Sequence, residues 1–240
     1  MVRVSLIVPA YNEEKSLSQT LKSLLEQEYP DFELICVNNN SIDKTNSIAK
    51  KFTKKVFLEK VKGYPAAVNR GVKESKGEII AFCDADTIYP KDWLLKVVKR
   101  FDEDDKVIAV YGTCKFYDNN FFINFLSRVI FSFFLKFSRL IGFDNAAGFN
   151  FIMKKDYYKK VGGYNPSIFN SILMDVELGR RLQSIGKLKQ DTSIVVYTSS
   201  RRFKKQGVLR TTYSFFSAWI RLNFSLKQKI SYEEYNKEFR

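Results

Sequence analysis

The sequence predicts an α/β fold in which a mainly parallel sheet is flanked by helices. Two observations lead there. Short runs that are apolar at nearly every position, as in strands covered on both faces, alternate with stretches whose apolar residues recur at helical spacing. Each run then breaks at Gly, Pro, Asn or Asp, the residues of tight turns. Residues 4–8 are the first strand candidate, interrupted by Pro9, Ala10, Tyr11, Asn12 and Glu13. Residues 14–27 follow as a helix with Leu17, Leu21, Leu24 and Leu25. A second strand, 32–37, ends in Asn38-Asn-Asn-Ser-Ile-Asp43, where Ser41 or Asp43 could cap a helix reaching Lys51. Capping accounts for Asp43 as well as ligand contact does. A third strand at 56–59, a loop Lys62-Gly63-Tyr64-Pro65, a helix at 66–75 and a strand at 78–83 complete a β-α-β-α-β-α-β order. Parallel strands joined by helical crossovers follow from that order.

The 240 residues are enough for one sizeable domain with a full core. With 40 Lys and Arg against 26 Asp and Glu, the net charge of +14 calls for an anionic partner. No basic run exceeds two residues, so a nucleic-acid arm is not expected. Histidine is absent, which excludes histidine bases and histidine metal ligands. Cys36, Cys83 and Cys114 have no metal-binding spacing and read as buried thiols of a reducing, cytoplasmic compartment. Met1 leads straight into a strand, so no signal peptide is expected, and the apolar stretches fall short of the roughly 18 residues of a membrane span.

The strongest chemical signal is Gly77-Glu-Ile-Ile-Ala-Phe-Cys-Asp84-Ala-Asp86. A buried strand ends in two carboxylates that, at extended spacing, point the same way. Two adjacent anions call for a cation, and oxygen ligands suit Mg²⁺ or Mn²⁺. Ala85 keeps the gap narrow, so a bulky ligand can approach. A solvated turn is the alternative for an isolated pair of this kind, but ligands collect at the carboxyl ends of strands in such folds.

Further motifs share this order: Ser5-Leu-Ile-Val-Pro-Ala-Tyr-Asn-Glu-Glu14, Val37-Asn-Asn-Asn-Ser-Ile-Asp43, Gly63-x-x-Ala66-Ala67-x-Asn69-x-Gly71, and Gly162-Gly163-Tyr164 followed by Asp175. Together they resemble a family 2 glycosyltransferase with the GT-A fold, over about residues 3–206. The resemblance implies that a nucleoside-diphosphate sugar binds at Pro9, Ala10, Tyr11, Glu13, Asn38, Asp43, Lys62, Asp84 and Ala85. It implies a metal at Asp86, with Asp84 assisting or holding ribose, and an acceptor pocket that includes Gly148. Asp175 would be the catalytic base, and Arg201 and Arg202 would close over the diphosphate. The family usually carries Asp where this chain has Asn38. An amide can accept from uracil N3–H and donate to O4, which favours UDP over GDP. Met174 stands before Asp175 where the family commonly has Glu. The Gln-x-x-Arg-Trp signature of processive synthases is absent, which points to transfer of a single sugar.

Past the central strand, residues 91–101 read as an amphipathic helix, 107–111 as a strand, 171–184 as a helix and 193–197 as a strand, with Arg201-Arg202 on the loop after it. Residues 119–143 and 207–227 are rich in aromatic residues and interspersed with Arg and Lys. They read either as core helices or as helices lying on an anionic membrane, as a lipid-linked acceptor would require. The chain divides into a domain at 1–206 and an amphipathic basic helix and tail at 207–240. Two competing readings are a sugar-phosphate nucleotidyltransferase, which needs a Gly-rich basic loop that Pro9 to Glu13 does not supply, and a basic adaptor that keeps the fold without catalysis.

Overall fold

The computed structural model describes residues 2–119, 150–164 and 171–207, with Val129, Phe133, Leu140, Arg210, Tyr213, Ser214 and Ser217. Gly148, and all but these few positions of the two aromatic segments and the tail, lie outside the described residues. The elements run β1 (Val4–Ala10), α1 (Leu17–Leu25), β2 (Phe32–Asn38), α2 (Thr45–Phe52), β3 (Val56–Leu58), α3 (Tyr64–Glu74), β4 (Ile79–Phe82), β5 (Thr87–Ile88) and α4 (Trp93–Glu103). They continue with β6 (Val107–Phe116), β7 (Phe151–Lys154), α5 (Lys155–Lys160), α6 (Ser171–Gln183), β8 (Lys187–Thr198) and α7 (Arg201–Gln206).

The strands form one sheet in the order β3-β2-β1-β4-β7-β6-β8-β5. The first four pair in parallel, as the helical crossovers require. Beyond β4 the sheet is mixed: β7 runs antiparallel to both β4 and β6, β8 parallel to β6, and β5 antiparallel to β8. It is the curled α/β sheet of the GT-A fold. Both faces are covered, so alternate residues of one strand enter different cores. Leu6 and Val8 of β1 pack with Leu17, Leu21, Leu24 and Trp93 on the α1 and α4 side, whereas Ile7 packs with Val68, Phe82, Tyr164 and Leu178 on the other. At roughly 1.5–3 kcal/mol for each large apolar side chain buried, these strands have one stable register.

Several boundaries depart from the sequence reading. Tyr64 and Pro65 belong to the first turn of α3 rather than to a loop, because Pro costs nothing where the helix has no N–H partner. β8 begins at Lys187, well before the apolar run at 193–197; its polar first half is held by pairing with β6 rather than by its own pattern. The β6–β8 ladder shifts register around Gly112, where Asn150 fills the gap. The Asn150 amide donates to Thr113 O at 3.1 Å and Ile194 O at 3.0 Å and accepts from Trp93 Nε1 at 3.0 Å. Arg201 and Arg202 lie in α7, not on a loop.

One buried ion pair ties β2 to the entry of β4. The Glu33 side chain is 4% exposed and pairs with Lys55. Its Oε1 accepts from Ser5 Oγ at 2.6 Å and from the Lys76 N–H at 2.5 Å. Burial alone would raise the Glu33 acid, but Lys55, Ser5 and the Lys76 N–H outweigh it and hold it below its usual range. Glu33→Ala should lower the free energy of urea unfolding by about 2–4 kcal/mol, the figure for a broken buried pair discounted for the half-exposed lysine. Since the folded value is depressed, Glu33's ionic contribution is present above the unfolded value near ~4.3 and is lost as pH falls through the lower folded value. The gap between the wild type and Glu33→Gln should therefore close in acid.

Candidate active site

The carboxyl ends of β1, β2 and β4 meet at one edge of the sheet. Pro9 and Ala10 are the buried last residues of β1, and Asn38 is the buried last residue of β2, directly opposite Ala10. The two following loops are laced together. The Asn12 N–H donates to Ser41 Oγ at 3.0 Å, the Ile42 N–H to Asn12 Oδ1 at 3.0 Å, and the Glu13 N–H to Thr45 Oγ1 at 2.8 Å. Asn12 and Asn40 take positive φ, +54° and +61°, which Asn tolerates better than most residues. Tyr11 sits half-buried between these ties.

Asp43 serves the backbone. Its Oδ1 accepts from the Thr45 N–H at 2.9 Å and its Oδ2 from the Glu14 N–H at 3.1 Å. These bonds give Asp43 a scaffold role, and the helix N-cap itself is Lys44. Asn38 Oδ1 accepts from the Ser41 N–H at 3.0 Å. The neighbouring Asn39, which the sequence did not single out, accepts from the Gly63 N–H at 2.7 Å and donates to Val61 O at 2.7 Å, so it folds the loop carrying exposed Lys62 against β2. Consecutive Asn residues after a strand were a turn signal but did not distinguish these roles.

Asp84, Ala85 and Asp86 form a turn between β4 and β5, not the extended segment expected from the i, i+2 argument. Both carboxylates are partly exposed, and the turn is held from two sides. Thr20 Oγ1 on α1 donates to Ala85 O at 3.0 Å. Thr87 pairs with Thr198 in the β5–β8 ladder, their hydroxyls 2.9 Å apart. Three residues past Thr198, Arg201 reaches back over the turn: Nε lies 3.0 Å from Asp86 Oδ2, and the other guanidinium nitrogens pair with Glu13. Burial alone would lower the Arg201 guanidinium, but Glu13, Asp86 and Asp84 raise it, so Arg201 stays charged. Glu13 thus faces an arginine in this structure, and no contact of Arg202's side chain belongs to the described set.

Asp175 lies in α6, close behind the Met174 that packs in the core. Its Oδ1 accepts a hydrogen bond from the Tyr164 hydroxyl. The Tyr64 hydroxyl is held well above the phenol value by burial and then by the charges of Asp84 and Asp175, and its ring lies 5.7 Å from that of Tyr164. The fold has therefore brought together residues 9–13, 38, 84–86, 175 and 201. Asp84 and Asp86 supply hard oxygen donors; among the described residues no third His, Cys, Asp or Glu joins them. Mg²⁺ in phosphate sites is commonly held by one or two carboxylates together with substrate oxygens, so this donor set fits such an ion.

The sequence model of "Glycosyl transferase family 2" matches residues 5–162, more than half of the chain. The chain belongs to glycosyl transferase family 2. It is 32% identical over 203 residues to a probable glycosyltransferase YdaM of Bacillus subtilis, covering 77% of this chain and 47% of that protein. The chain thus spans about half the length of that relative, and less of the next ones. The mannosyltransferase PcManGT of Pyrobaculum calidifontis, solved with GDP-Man and Mn²⁺, superposes with a TM-score of 0.69 at 20% identity, over 99% of this chain and 68% of that one. S. aureus TarS 1–349 with UDP-GlcNAc gives 0.65 at 20% identity, over 98% and 69%. At such identity the superpositions establish the GT-A fold.

The corner between β8 and α7 that presents Arg201 is held by Asp118. Its Oδ1 accepts from the Ser200 N–H at 2.8 Å and its Oδ2 from Lys204 Nζ at 3.1 Å. Burial would raise the Asp118 acid, but these donors bring it down to about 2. The clamp should hold at all pH values above that and be lost only as pH falls through it. Asp118→Ala should raise the open population of this corner roughly five-fold, for about 1 kcal/mol of lost hydrogen bonding. Faster tryptic cleavage at Arg201 and Lys204 is the measurement.

Proposed function

We propose that the chain transfers a single sugar from a nucleoside-diphosphate sugar to an acceptor hydroxyl, with inversion at the anomeric carbon and dependence on Mg²⁺ or Mn²⁺. The observation that carries the proposal is the turn of Asp84 and Asp86 beneath Arg201 at the carboxyl end of the sheet, with Asp175 bonded to Tyr164, whose ring lies 5.7 Å from that of Tyr64. Asp175 takes the proton of the acceptor hydroxyl while that oxygen attacks the anomeric carbon. The bond from the same carbon to the diphosphate oxygen breaks, and its electron pair leaves with the nucleoside diphosphate. Arg201, which pairs with Glu13 and Asp86 here, would meet the negative charge that builds on the leaving group. A divalent cation, when bound at Asp86 and Asp84, would neutralise the diphosphate. One base opposite the leaving group gives direct displacement, hence inversion.

The donor base is read as uracil. Asn38 Oδ1 accepts from the Ser41 N–H and keeps a second lone pair for uracil N3–H, while its amide hydrogens would go to O4. For the acceptor we favour a lipid-linked hydroxyl at an anionic membrane surface, with the protein peripheral on the cytoplasmic face. Val129, Phe133 and Leu140 are helical and 49%, 71% and 83% exposed, apolar surface of the kind a membrane would cover. The net charge of +14 supports the same reading. No helix among the described residues is long and apolar enough to cross a membrane.

Thermal shift with UDP or GDP, with and without Mn²⁺, tests donor class and metal together. UDP should raise the melting temperature only with the metal, and Asp86→Asn should abolish that rise; a metal-independent rise would overturn the metal assignment. Asp175→Asn should lower transfer about 10²–10⁴-fold while the UDP affinity stays within about two-fold, as for a base used in the transition state. Near-normal turnover of this variant, or a product with retained configuration, contradicts the mechanism; no metal-dependent nucleotide binding at all would leave the adaptor in its place.

A further inference from the structure

We infer that Tyr164 is a positioning residue for Asp175, its hydroxyl orienting the carboxylate that receives the acceptor's proton; the inference rests on the base assignment above. Tyr164 follows Gly162 and Gly163, whose φ values of +82° and +68° turn the chain sharply after α5. The residue is then held at every end. Its N–H donates to the Tyr158 hydroxyl at 3.0 Å, and its carbonyl accepts from Asn69 Nδ2 at 3.3 Å. The side chain is 1% exposed, its ring centroid 5.7 Å from that of Tyr64 and 5.5 Å from that of Phe82. The phenol that emerges from this packing donates to Asp175 Oδ1.

Packing explains the ring but not the hydroxyl. Phe would fill the same space, and a buried hydroxyl is unfavourable unless it is bonded. Here its acceptor is the carboxylate assigned as base. Burial, and after it the negative charge of Asp175, keeps the Tyr164 proton in place, so the phenol donates and the carboxylate accepts. A donor to the charged form favours that form and lowers the carboxylate's pKa. The groups electrostatically linked to this pair are Tyr64 from α3, which also feels Asp84, and Tyr158 from α5 beside Tyr164; further along α6 Arg180 feels Glu177, which pairs with Arg181. None of these is altered in Tyr164→Phe.

The test follows Asp175 itself in protein labelled with ¹³C at the aspartate carboxyls, its resonance assigned by its loss in Asp175→Asn. In Tyr164→Phe the Asp175 midpoint should rise by about one pH unit, the scale of a hydrogen bond to a charged group. UDP release from UDP-GlcNAc should fall about ten-fold in kcat with KM within about two-fold, and the acid limb of its pH profile should move upward with the midpoint. Tyr158→Phe removes a tie to the Tyr164 backbone but keeps the Tyr164 hydroxyl, so it should lower the melting temperature without moving the midpoint. In the unsubstituted chain, 3-fluorotyrosine at position 164 should show a ¹⁹F resonance that titrates with Asp175, a reading that does not depend on any variant folding. An unmoved Asp175 midpoint in Tyr164→Phe, an equal rise in Tyr158→Phe, or a flat ¹⁹F resonance overturns the inference. Wild-type UDP release by Asp175→Asn would instead overturn the base assignment while leaving the hydrogen bond standing.

Discussion

A concentration of negative charge at the edge of a buried sheet governs the arrangement of everything near it. Glu13 follows β1, and Asp84 and Asp86 follow β4; β1 and β4 are neighbouring parallel strands, so the three carboxylates arrive at one place by the register of the sheet alone. Left to themselves they would repel. Arg201 compensates them, bridging Glu13 and Asp86. It comes from late in the chain, carried by the end of β8, which is held between β6 on one side and the two-residue β5 pairing, Thr87 with Thr198 and Ile88 with Tyr197, on the other.

The surroundings of this charge are rigid by construction. The apolar strands fix register through burial on both faces, and polar residues at their ends then fasten the loops: Asn12 with Ser41, Asn39 with Gly63, Thr20 with Ala85. A backbone already bound to itself need not reorganise when a ligand arrives, which is the condition for strong electrostatic stabilisation of developing charge. The thiols stand outside this chemistry. Burial pushes Cys36 and Cys114 up to about 12 and Cys83 higher still, as expected of cysteines that only fill space.

Much of the fold was legible because burial on both faces leaves a strong mark. A strand such as Ile79–Phe82 must be apolar throughout, and helices such as α1 and α4 must carry a stripe of apolar residues. The first half of β8 left no such mark. Its residues are partly exposed, and its strand character is imposed by the β6 backbone. The turn at Asp84 to Asp86 was read as extended because spacing alone cannot tell an extended segment from a turn. Asp43 remained ambiguous for a related reason: a carboxylate that binds backbone N–H groups and one that binds a ligand have the same letter.

By itself the sequence determined the strand and helix order as far as β4, the family, and the chemical groups proposed for the site: two aspartates after a buried strand, an aspartate after a double glycine, a late arginine pair, and no histidine to share their work. These follow from local pattern and composition, which the chain carries wherever it goes. Only the tertiary structure decided which groups face one another. It set Arg201 against Glu13 and Asp86 across the sheet edge, gave Asp43 to the backbone, and aimed the Tyr164 hydroxyl at Asp175. Such pairings join residues far apart in the chain or hang on the direction in which a single oxygen points, and they exist only once packing has closed around them.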